Sequence, residues 1–137
     1  MKRIFLQILL VIILAGCQSQ LVSVETISVA GGSYQNISAK ELNSKLKSKD
    51  FRFINVHIPF AGNIAGTDLS IAYDQIEQNL SHLPTDKNTK IVLYCRSGRM
   101  SAIASEELVL LGYTNIWNLD GGMDAWAQAG YPLEKRR

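Results

Sequence analysis

The chain has 137 residues, of which 47 % are hydrophobic and 19 % are charged, and this length and composition predict one compact domain. Its formal net charge is +2, from 14 Lys and Arg against 12 Asp and Glu, and two of the cations, Lys2 and Arg3, precede an apolar run that we expect to be removed. A near-neutral mature chain without a clustered basic surface argues against a nucleic-acid-binding protein, which must neutralise phosphates.

The amino terminus has the pattern of an export signal. Lys2 and Arg3 are followed by an apolar stretch over residues 4–14, which is too short to span a bilayer permanently. The stretch ends in Leu-Ala-Gly-Cys at Cys17, which resembles the lipobox of bacterial lipoproteins, where the cysteine thiol receives diacylglycerol before cleavage. We therefore predict a lipoprotein signal peptide over residues 1–16 and lipidation of Cys17. The alternative is an ordinary secretory signal with a chance cysteine.

The residues after Cys17 predict where the protein is held. Acyl chains on that cysteine anchor a protein stably to a membrane. Gln18 follows it, and this position resembles that of outer-membrane lipoproteins because it is not Asp. We expect a location in the bacterial cell envelope, on the periplasmic face of the outer membrane in a Gram-negative host. Residues 17–33 are mostly polar and alternate only weakly, so we interpret them as a lipidated tether that has room for one short strand. We expect the folded domain over residues 34–137.

From Ser38 onward, helix and strand signals alternate. Ser38 and Glu41 form a capping box, which predicts the start of a helix. Residues 90–95 form an almost continuous apolar run, typical of a strand buried on both faces of a parallel sheet. The predicted elements are helices over 38–48, 74–80 and 122–129, strands over 51–57, 90–95 and 115–119, and a loop over 55–67. A tight turn over 96–99 precedes a further helix, which ends at Gly112 and whose expected buried side is Ala102, Ile103, Leu108 and Leu111. This alternation predicts an α/β domain with a mostly parallel central sheet flanked by helices.

Cys95 ends a predicted buried strand, at the edge of the sheet where α/β proteins bind ligands. Once Cys17 carries lipid, it is the one thiol left, so no intrachain disulfide can form, and it is either buried and inert or retained for chemistry. Backbone amides of residues 96–101 can curl around its sulfur at the positive end of the next helix, and Arg96 and Arg99 add charge. These features favour the thiolate, which is the nucleophilic form, and predict a reactive cysteine.

Two motifs resemble a known family. The sequence Cys-Arg-Ser-Gly-Arg-Met-Ser, which starts at Cys95, is similar to the active-site loop of single-domain rhodaneses. Residues 119–126, Leu-Asp-Gly-Gly-Met-Asp-Ala-Trp, and Gly-Tyr-Pro at 130–132 are similar to the motif that closes the rhodanese domain. The resemblance covers residues 38–132 and implies a rhodanese-like three-layer α/β domain.

The resemblance also implies a function. Rhodaneses move sulfane sulfur from a donor such as thiosulfate to a thiol or cyanide acceptor through a cysteine persulfide, which would form here on Cys95. The implied substrate-binding residues are those of the same loop: Arg96, Ser97, Gly98, Arg99, Met100 and Ser101. Arg96 and Arg99 would hold the anionic donor by charge-assisted hydrogen bonds. No cofactor is implied, and the scattered Cys95, His57 and His82 do not form a zinc signature, so we expect no metal. We expect a monomer.

Several positions depart from the pattern of the family. Where rhodaneses usually carry Asp-Val-Arg, this chain has Asn55, Val56 and His57, and Asn63 stands where a histidine is usual. Many family loops also have an arginine at the position of Met100. We therefore expect weak thiosulfate activity. The departures leave open an alternative, a catalytically weak or inactive rhodanese-like binding module at the cell envelope. His57 either reaches the mouth of the pocket or is an ordinary neutral surface residue.

A third class of protein uses a similar cysteine loop. Cysteine phosphatases and arsenate reductases hold a larger anion with an arginine six positions after the cysteine. That position is Ser101 in this chain, and Tyr94 precedes the cysteine where a histidine is usual. The sequence therefore favours a sulfur donor over a phosphate or arsenate substrate.

Overall fold

A computed structural model describes residues 24–135 of the chain, and Cys17 with the predicted signal peptide lies outside them. The sheet has six strands in the order β1-β2-β6-β5-β3-β4. Its elements, in chain order, are β1 (Glu25–Val29), β2 (Gly32–Ile37), α1 (Ala39–Leu46), β3 (Arg52–Asn55), β4 (Leu69–Ser70), a 3-10 helix (Glu77–His82), β5 (Ile91–Tyr94), α2 (Arg99–Leu110), β6 (Ile116–Leu119) and α3 (Gly122–Gln128). Every pairing except that of β1 with β2 is parallel. The prediction of an α/β domain with a mostly parallel sheet is confirmed.

The central strand β5 is buried on both faces, and this divides the core into two clusters. Val92 and Tyr94 pack with residues of α1 and α3 on one face. Ile91 and Leu93 pack with residues of α2 on the other. Because successive strand residues point to opposite faces, one continuous apolar run supplies both clusters. The result is three layers, with helices on either side of the sheet. Among the described residues, none of the helices has the length and apolar character needed to cross a bilayer.

The start of α1 and the end of α2 were predicted from signals of a few neighbouring residues, and the structure has both. The Ser38 hydroxyl accepts a hydrogen bond from the backbone N–H of Glu41, and the Glu41 carboxylate accepts one from the backbone N–H of Ser38, which forms the predicted capping box. Gly112 follows the end of α2 with a φ of 90°, in the left-handed region that glycine adopts at little cost. The short helix predicted over residues 74–80 is instead the 3-10 helix Glu77–His82, whose start has no side-chain cap.

The predicted boundary between tether and domain, at residue 34, lies too far toward the carboxyl terminus. Residues that we assigned to the tether form β1 and the turn to β2, and Glu25 pairs with Asn36 at the far end of this hairpin. Ile27 and Val29 are partly buried against the core, which is what holds the strand on the sheet. The other three residues of β1 are exposed, so the strand carries only a weak alternation of apolar side chains. This weak alternation allowed one short strand in the sequence, but it did not reveal the hairpin with β2.

We expect that a chain starting at residue 34 is less stable than one starting at residue 24, by about 2 kcal/mol. It loses the partial burial of Ile27 and Val29, which is a fraction of the 1.5 to 3 kcal/mol of a fully buried aliphatic side chain. It also exposes the edge of β2, which promotes aggregation. Urea denaturation of the two chains measures the difference, and equal free energies of unfolding would show that the hairpin adds nothing to the fold.

Candidate active site

Cys95 lies directly after β5, at the carboxyl end of the parallel strands. The strand is hydrogen-bonded to β3 on one side and β6 on the other, so the backbone that carries the cysteine is fixed from both sides. Only 1 % of Cys95 is exposed. It is the free cysteine of the described residues, and it sits at the base of a cavity. The predicted position of the cysteine at the ligand-binding edge of the sheet agrees with this geometry.

Two groups donate hydrogen bonds to Sγ of Cys95 within the part of the chain that the structure describes. The backbone N–H of Gly98 donates at 3.1 Å, and the hydroxyl of Ser101 donates at 3.5 Å. Gly98 is the residue before α2 and has a φ of 96°, a left-handed conformation that turns the loop back over the sulfur. The N–H of Gly98 points at the sulfur and stabilises negative charge on it. The Ser101 hydroxyl also lies 3.2 Å from the carbonyl oxygen of Gly98, so its one hydrogen can turn to the sulfur when the sulfur is negatively charged.

The motif at residues 119–126 holds the carbonyl groups of the cysteine loop away from the sulfur. The backbone N–H of Met123 donates to the carbonyl oxygen of Cys95 at 2.9 Å, and that of Asp124 donates to the carbonyl oxygen of Arg96 at 2.9 Å. Gly122 makes this close approach possible, because a Cβ there would lie 2.4 Å from the carbonyl oxygen of Cys95. The second glycine of the closing motif therefore supports the cysteine loop from behind.

A cavity of about 230 Å³ opens above Cys95. Its lining residues are His57, Tyr73, Cys95, Arg96, Ser97, Arg99, Met100 and Ile103. Four of the six residues expected to bind substrate are among them, namely Arg96, Ser97, Arg99 and Met100. The other two, Gly98 and Ser101, contact the sulfur itself, and Ser101 is fully buried. The loop thus supplies both the wall of the cavity and the donors beneath it.

The two arginines beside the cavity differ in their surroundings. Nε of Arg96 lies 3.6 Å from a carboxylate oxygen of Asp124, and both side chains are more than half exposed, so this ion pair is weak. Arg99 is exposed and has no ion-pair partner among residues 24–135. Both guanidinium groups can therefore turn toward an anion in the cavity at little cost.

His57 faces the same cavity, where the sequence alone left its place open. Its Nδ1 is buried and has no hydrogen-bond partner within the described chain. Burial lowers the pKa of His57, the positive charge of Arg96 lowers it further, and Asp124 acts in the opposite direction. The imidazole is therefore held in its neutral form, because protonation would place a charge beside a cation and an unpaired N–H in the interior.

Asn55 and Asn63 shape the loop that presents His57. Asn55 is buried, and its Nδ2 donates to the carbonyl oxygen of Gly62 and to Oδ1 of Asn63, each at 2.9 Å. Its Oδ1 accepts the backbone N–H of His57 at 3.0 Å. The hydroxyl of Tyr94 also donates to Oδ1 of Asn63, at 3.3 Å. The strand predicted over residues 51–57 ends at Asn55. Val56 still donates its N–H to the carbonyl oxygen of Tyr94, and His57 turns away with its N–H bound to the Asn55 side chain.

Sequence reasoning missed Tyr73 and Ile103 as lining residues. Tyr73 follows β4, a strand of two residues that has no sequence signal of its own. Ile103 lies one helical turn after Arg99, so its position on the same face of α2 as the loop arginine was the signal available. The prediction that Ile103 lies on the buried side of the helix is wrong, because 42 % of this residue is exposed.

A larger cavity, of about 610 Å³, lies at the opposite end of the sheet and includes His82. Two of its charged groups pair with each other, since Nζ of Lys49 lies 2.6 Å from an oxygen of Asp68. Although burial raises the pKa of Asp68, the hydrogen bonds from Lys49 and from the backbone N–H of Phe53 outweigh it and lower the pKa. No group of three His, Cys, Asp or Glu side chains that could hold a metal ion occurs within residues 24–135.

Comparisons with known proteins agree with this geometry. Residues 38–129 match the family model of the rhodanese-like domain, and residues 1–18 match that of prokaryotic membrane lipoprotein lipid attachment sites. A sulfurtransferase of Allochromatium vinosum is 31 % identical over 100 residues, which cover 71 % of this chain and 92 % of the relative. A thiosulfate sulfurtransferase of Shewanella oneidensis is 25 % identical over 99 residues, covering 71 % and 96 %. The crystal structure of a rhodanese-like domain protein from Staphylococcus aureus has a TM-score of 0.61 at 32 % identity, covering 74 % of this chain and 98 % of that one.

We expect Gly122→Ala to disrupt the cysteine loop and Gly130→Ala to serve as its matched control. Both glycines have a positive φ, 57° and 85°, so both variants carry the strain of about 1 to 2 kcal/mol of a left-handed alanine. Only at Gly122 does the new Cβ also meet backbone carbonyls, whereas nothing lies within 4 Å of it at Gly130. Urea denaturation and the rate of Cys95 alkylation by iodoacetamide should both change more in Gly122→Ala. Equal effects would contradict the role of Gly122 behind the loop.

The lowered pKa of His57 has a consequence for stability. Below its ordinary value of 6.5, the unfolded chain binds a proton at this side chain before the folded chain does. The free energy of unfolding of the wild type should therefore fall as the pH drops from 7 toward 5, and His57→Gln should remove part of that fall. Chemical denaturation of both proteins at a series of pH values tests this, and parallel curves would show that His57 titrates alike in both states.

Proposed function

This chain belongs to the rhodanese-like domain family, and we propose that it is a sulfurtransferase that carries the transferred sulfur on Cys95. The observation that supports the proposal most directly is the pair of donors on Sγ of Cys95, the N–H of Gly98 and the hydroxyl of Ser101, at the base of an open cavity. A structural cysteine in the core would have no such donors aimed at it and no cavity above it.

In the first step, the Cys95 thiolate attacks the outer sulfur of an anionic donor such as thiosulfate. A new S–S bond forms to Sγ, the S–S bond of the donor breaks, and sulfite leaves with the electron pair of that bond. The product is a negatively charged persulfide on Cys95. The Gly98 amide and the Ser101 hydroxyl are already in place before the reaction, so they stabilise the charge without reorganisation.

In the second step, the thiolate of an acceptor attacks the outer sulfur of the persulfide. The bond between the two sulfurs breaks, the Cys95 thiolate leaves, and the acceptor becomes a persulfide; cyanide would become thiocyanate in the same way. The cavity of about 230 Å³ suits a small donor or acceptor, with Arg96 and Arg99 to bind a negative charge. Met100 and Ile103 form the apolar part of its wall.

The departures from the family pattern affect binding of the sulfur-donor substrate more than they affect stabilisation of the charge on Cys95. The donors to Sγ come from the loop backbone and from Ser101, and they do not depend on Asn55 or Asn63. His57 places a neutral ring where many rhodaneses carry a cation, so the cavity attracts a doubly negative donor less strongly. We therefore propose weak activity with thiosulfate and a higher relative activity with less charged sulfane donors.

The lipid attachment site at residues 1–18 indicates an exported, lipid-anchored bacterial protein. We propose that residues 1–16 are removed and that Cys17 is the lipidated first residue of the mature chain. We also propose that the protein is a monomer and, in a Gram-negative host, faces the periplasm from the outer membrane. The sulfur acceptor then has to be a thiol of the cell envelope or one exported to it.

Incubation of the wild type with thiosulfate under anaerobic conditions should add one sulfur atom to the protein, and cyanide should remove it. Cys95→Ala should take up none. Whole-protein mass spectrometry of a chain beginning at residue 18 measures both, because Cys95 is then its one cysteine. If thiosulfate, a polysulfide and mercaptopyruvate all leave the wild type unmodified, the enzymatic proposal fails, and a rhodanese-like binding module at the envelope replaces it.

Removal of either loop arginine should weaken donor binding. Arg96→Ala and Arg99→Ala should each raise the donor KM about tenfold or more, because a lost hydrogen bond to a charged group is worth about 1.5 to 3 kcal/mol. Arg52→Ala is the matched control, since Arg52 lies at the opposite end of the sheet, at the start of β3. Steady-state kinetics at varied thiosulfate concentration measures the KM of each variant. An unchanged KM in both loop variants would show that Arg96 and Arg99 do not bind the donor.

A further inference from the structure

The described chain begins at the same end of the sheet that carries the cysteine. β1 runs antiparallel to β2, so Glu25, its first residue, pairs with Asn36 near the carboxyl end of β2. Asn36 pairs with Asn118, and Asn118 pairs with Leu93, two residues before Cys95. Glu25 and Leu93 thus lie in one row across the sheet. At ~4.8 Å per strand they are roughly 15 Å apart.

The lipid attachment point is close to this end along the chain. Eight residue steps separate Cys17 from Glu25, and even a fully extended chain of that length spans at most about 28 Å. When Cys17 carries lipid, Glu25 therefore stays within about 28 Å of the bilayer, and the domain is tethered from the sheet end with Cys95. The opposite end is marked by Leu110, which lies beside Gly31 at the turn between β1 and β2.

Exposed apolar side chains concentrate at the end that bears the cysteine. The described residues include four large hydrophobic side chains that are exposed: Ile58, Phe60, Ile103 and Leu110. Ile103 lines the Cys95 cavity, while Ile58 and Phe60 line a neighbouring cavity of about 260 Å³ that shares His57 with it. We call Ile58, Phe60 and Ile103 the apolar rim. Their exposed fractions are 38 %, 43 % and 42 %.

The sheet end with Cys95 carries both positive and negative side chains. Arg96 and Arg99 are exposed beside the rim, but Asp124 pairs with Arg96, and Glu25 starts the neighbouring hairpin. A contact made by this surface therefore depends on apolar side chains rather than on net charge. Large apolar side chains favour the interfacial region of a bilayer over water because their apolar area is then buried.

We propose that the apolar rim lies against the bilayer in which the acyl chains of Cys17 are anchored, so that the Cys95 cavity opens at the membrane surface. This proposal rests on lipidation of Cys17 and does not require sulfur transfer. If sulfur transfer also holds, the sulfur reaches or leaves Cys95 at the membrane interface, and an acceptor thiol presented by a membrane-bound partner or an apolar sulfane donor fits this position.

The distance of each sheet end from the bilayer tests the proposal. The full lipid-anchored chain is reconstituted into phosphatidylcholine vesicles with an energy acceptor in the headgroups, and one fluorophore is attached per protein. In both labelled proteins, Cys95→Ser removes the native thiol. The first protein carries the fluorophore at the site end, on the thiol supplied by Ser97→Cys. The control carries it at the other end, on the thiol supplied by Leu110→Cys. The site end should be quenched more, by roughly twofold, because the five-residue strand β1 separates the two ends by roughly 15 Å at ~3.3 Å per residue. Equal quenching, or stronger quenching at position 110, would overturn the proposal.

A second comparison separates the effect of the apolar rim on the orientation of the domain from that of the tether. Adding Ile58→Ser, Phe60→Ser and Ile103→Ser to both labelled proteins should reduce the difference between them, because the tether alone does not fix the orientation. Ile103→Ser alone, a change at an exposed position, is used if circular dichroism shows that the triple variant is unfolded. An unchanged difference would show that the tether orients the domain without the rim and would overturn the docking. Since the quenching measures distance, failure of sulfur transfer leaves this result intact.

Discussion

The arrangement of the site depends on two hydrogen bonds behind it. The N–H groups of Met123 and Asp124 hold the carbonyl oxygens of Cys95 and Arg96 at 2.9 Å. With these carbonyls fixed toward α3, the loop turns through Gly98 and aims an N–H at the sulfur on its other side. The close contact leaves no space for a side chain at Gly122. Two motifs whose hydrogen-bonded residues, Cys95 and Met123, lie 28 positions apart in the chain therefore form one structural unit. A charge on Cys95 is stabilised mainly by a backbone N–H, whose position depends on the contact between these two motifs.

Much of this arrangement could be predicted because its signals are local. The apolar run of β5, the glycine and arginines of the loop and the capping box at Ser38 each act within a few residues, and each was found in the sequence. The hairpin of β1 and β2 could not be predicted in the same way. β2 is held by pairing with β6, for example Gln35 with Trp117, some eighty residues later, and the half-exposed residues of β1 give little alternation to detect. The same holds for Tyr73 and Ile103, which reach the cavity only through the packing of β4 and α2.

His57 shows how replacement of a charged family residue can be accommodated. The sequence shows only that a histidine stands where an arginine is usual. In the structure, Asn55 binds the backbone N–H of His57 and fixes the loop, while the buried Nδ1 and nearby Arg96 keep the ring neutral. The cavity thus has two arginines, a neutral ring and an apolar wall, which is a different balance of charge and apolar surface from that implied by the family pattern. In our proposal, this balance and the apolar rim beside it favour a sulfur compound that is bound at the membrane surface.

The central claim is that the loop is built to hold a persulfide on Cys95. Its most direct test is a high-resolution crystal structure of the domain after anaerobic reaction with a sulfane donor. We expect one additional sulfur atom bonded to Sγ of Cys95, lying within hydrogen-bond distance of loop N–H groups and in contact with the cavity wall, with the loop backbone unchanged. An unmodified Sγ after exposure to donors, or an added sulfur that displaces the loop and finds no N–H donor, would contradict the account.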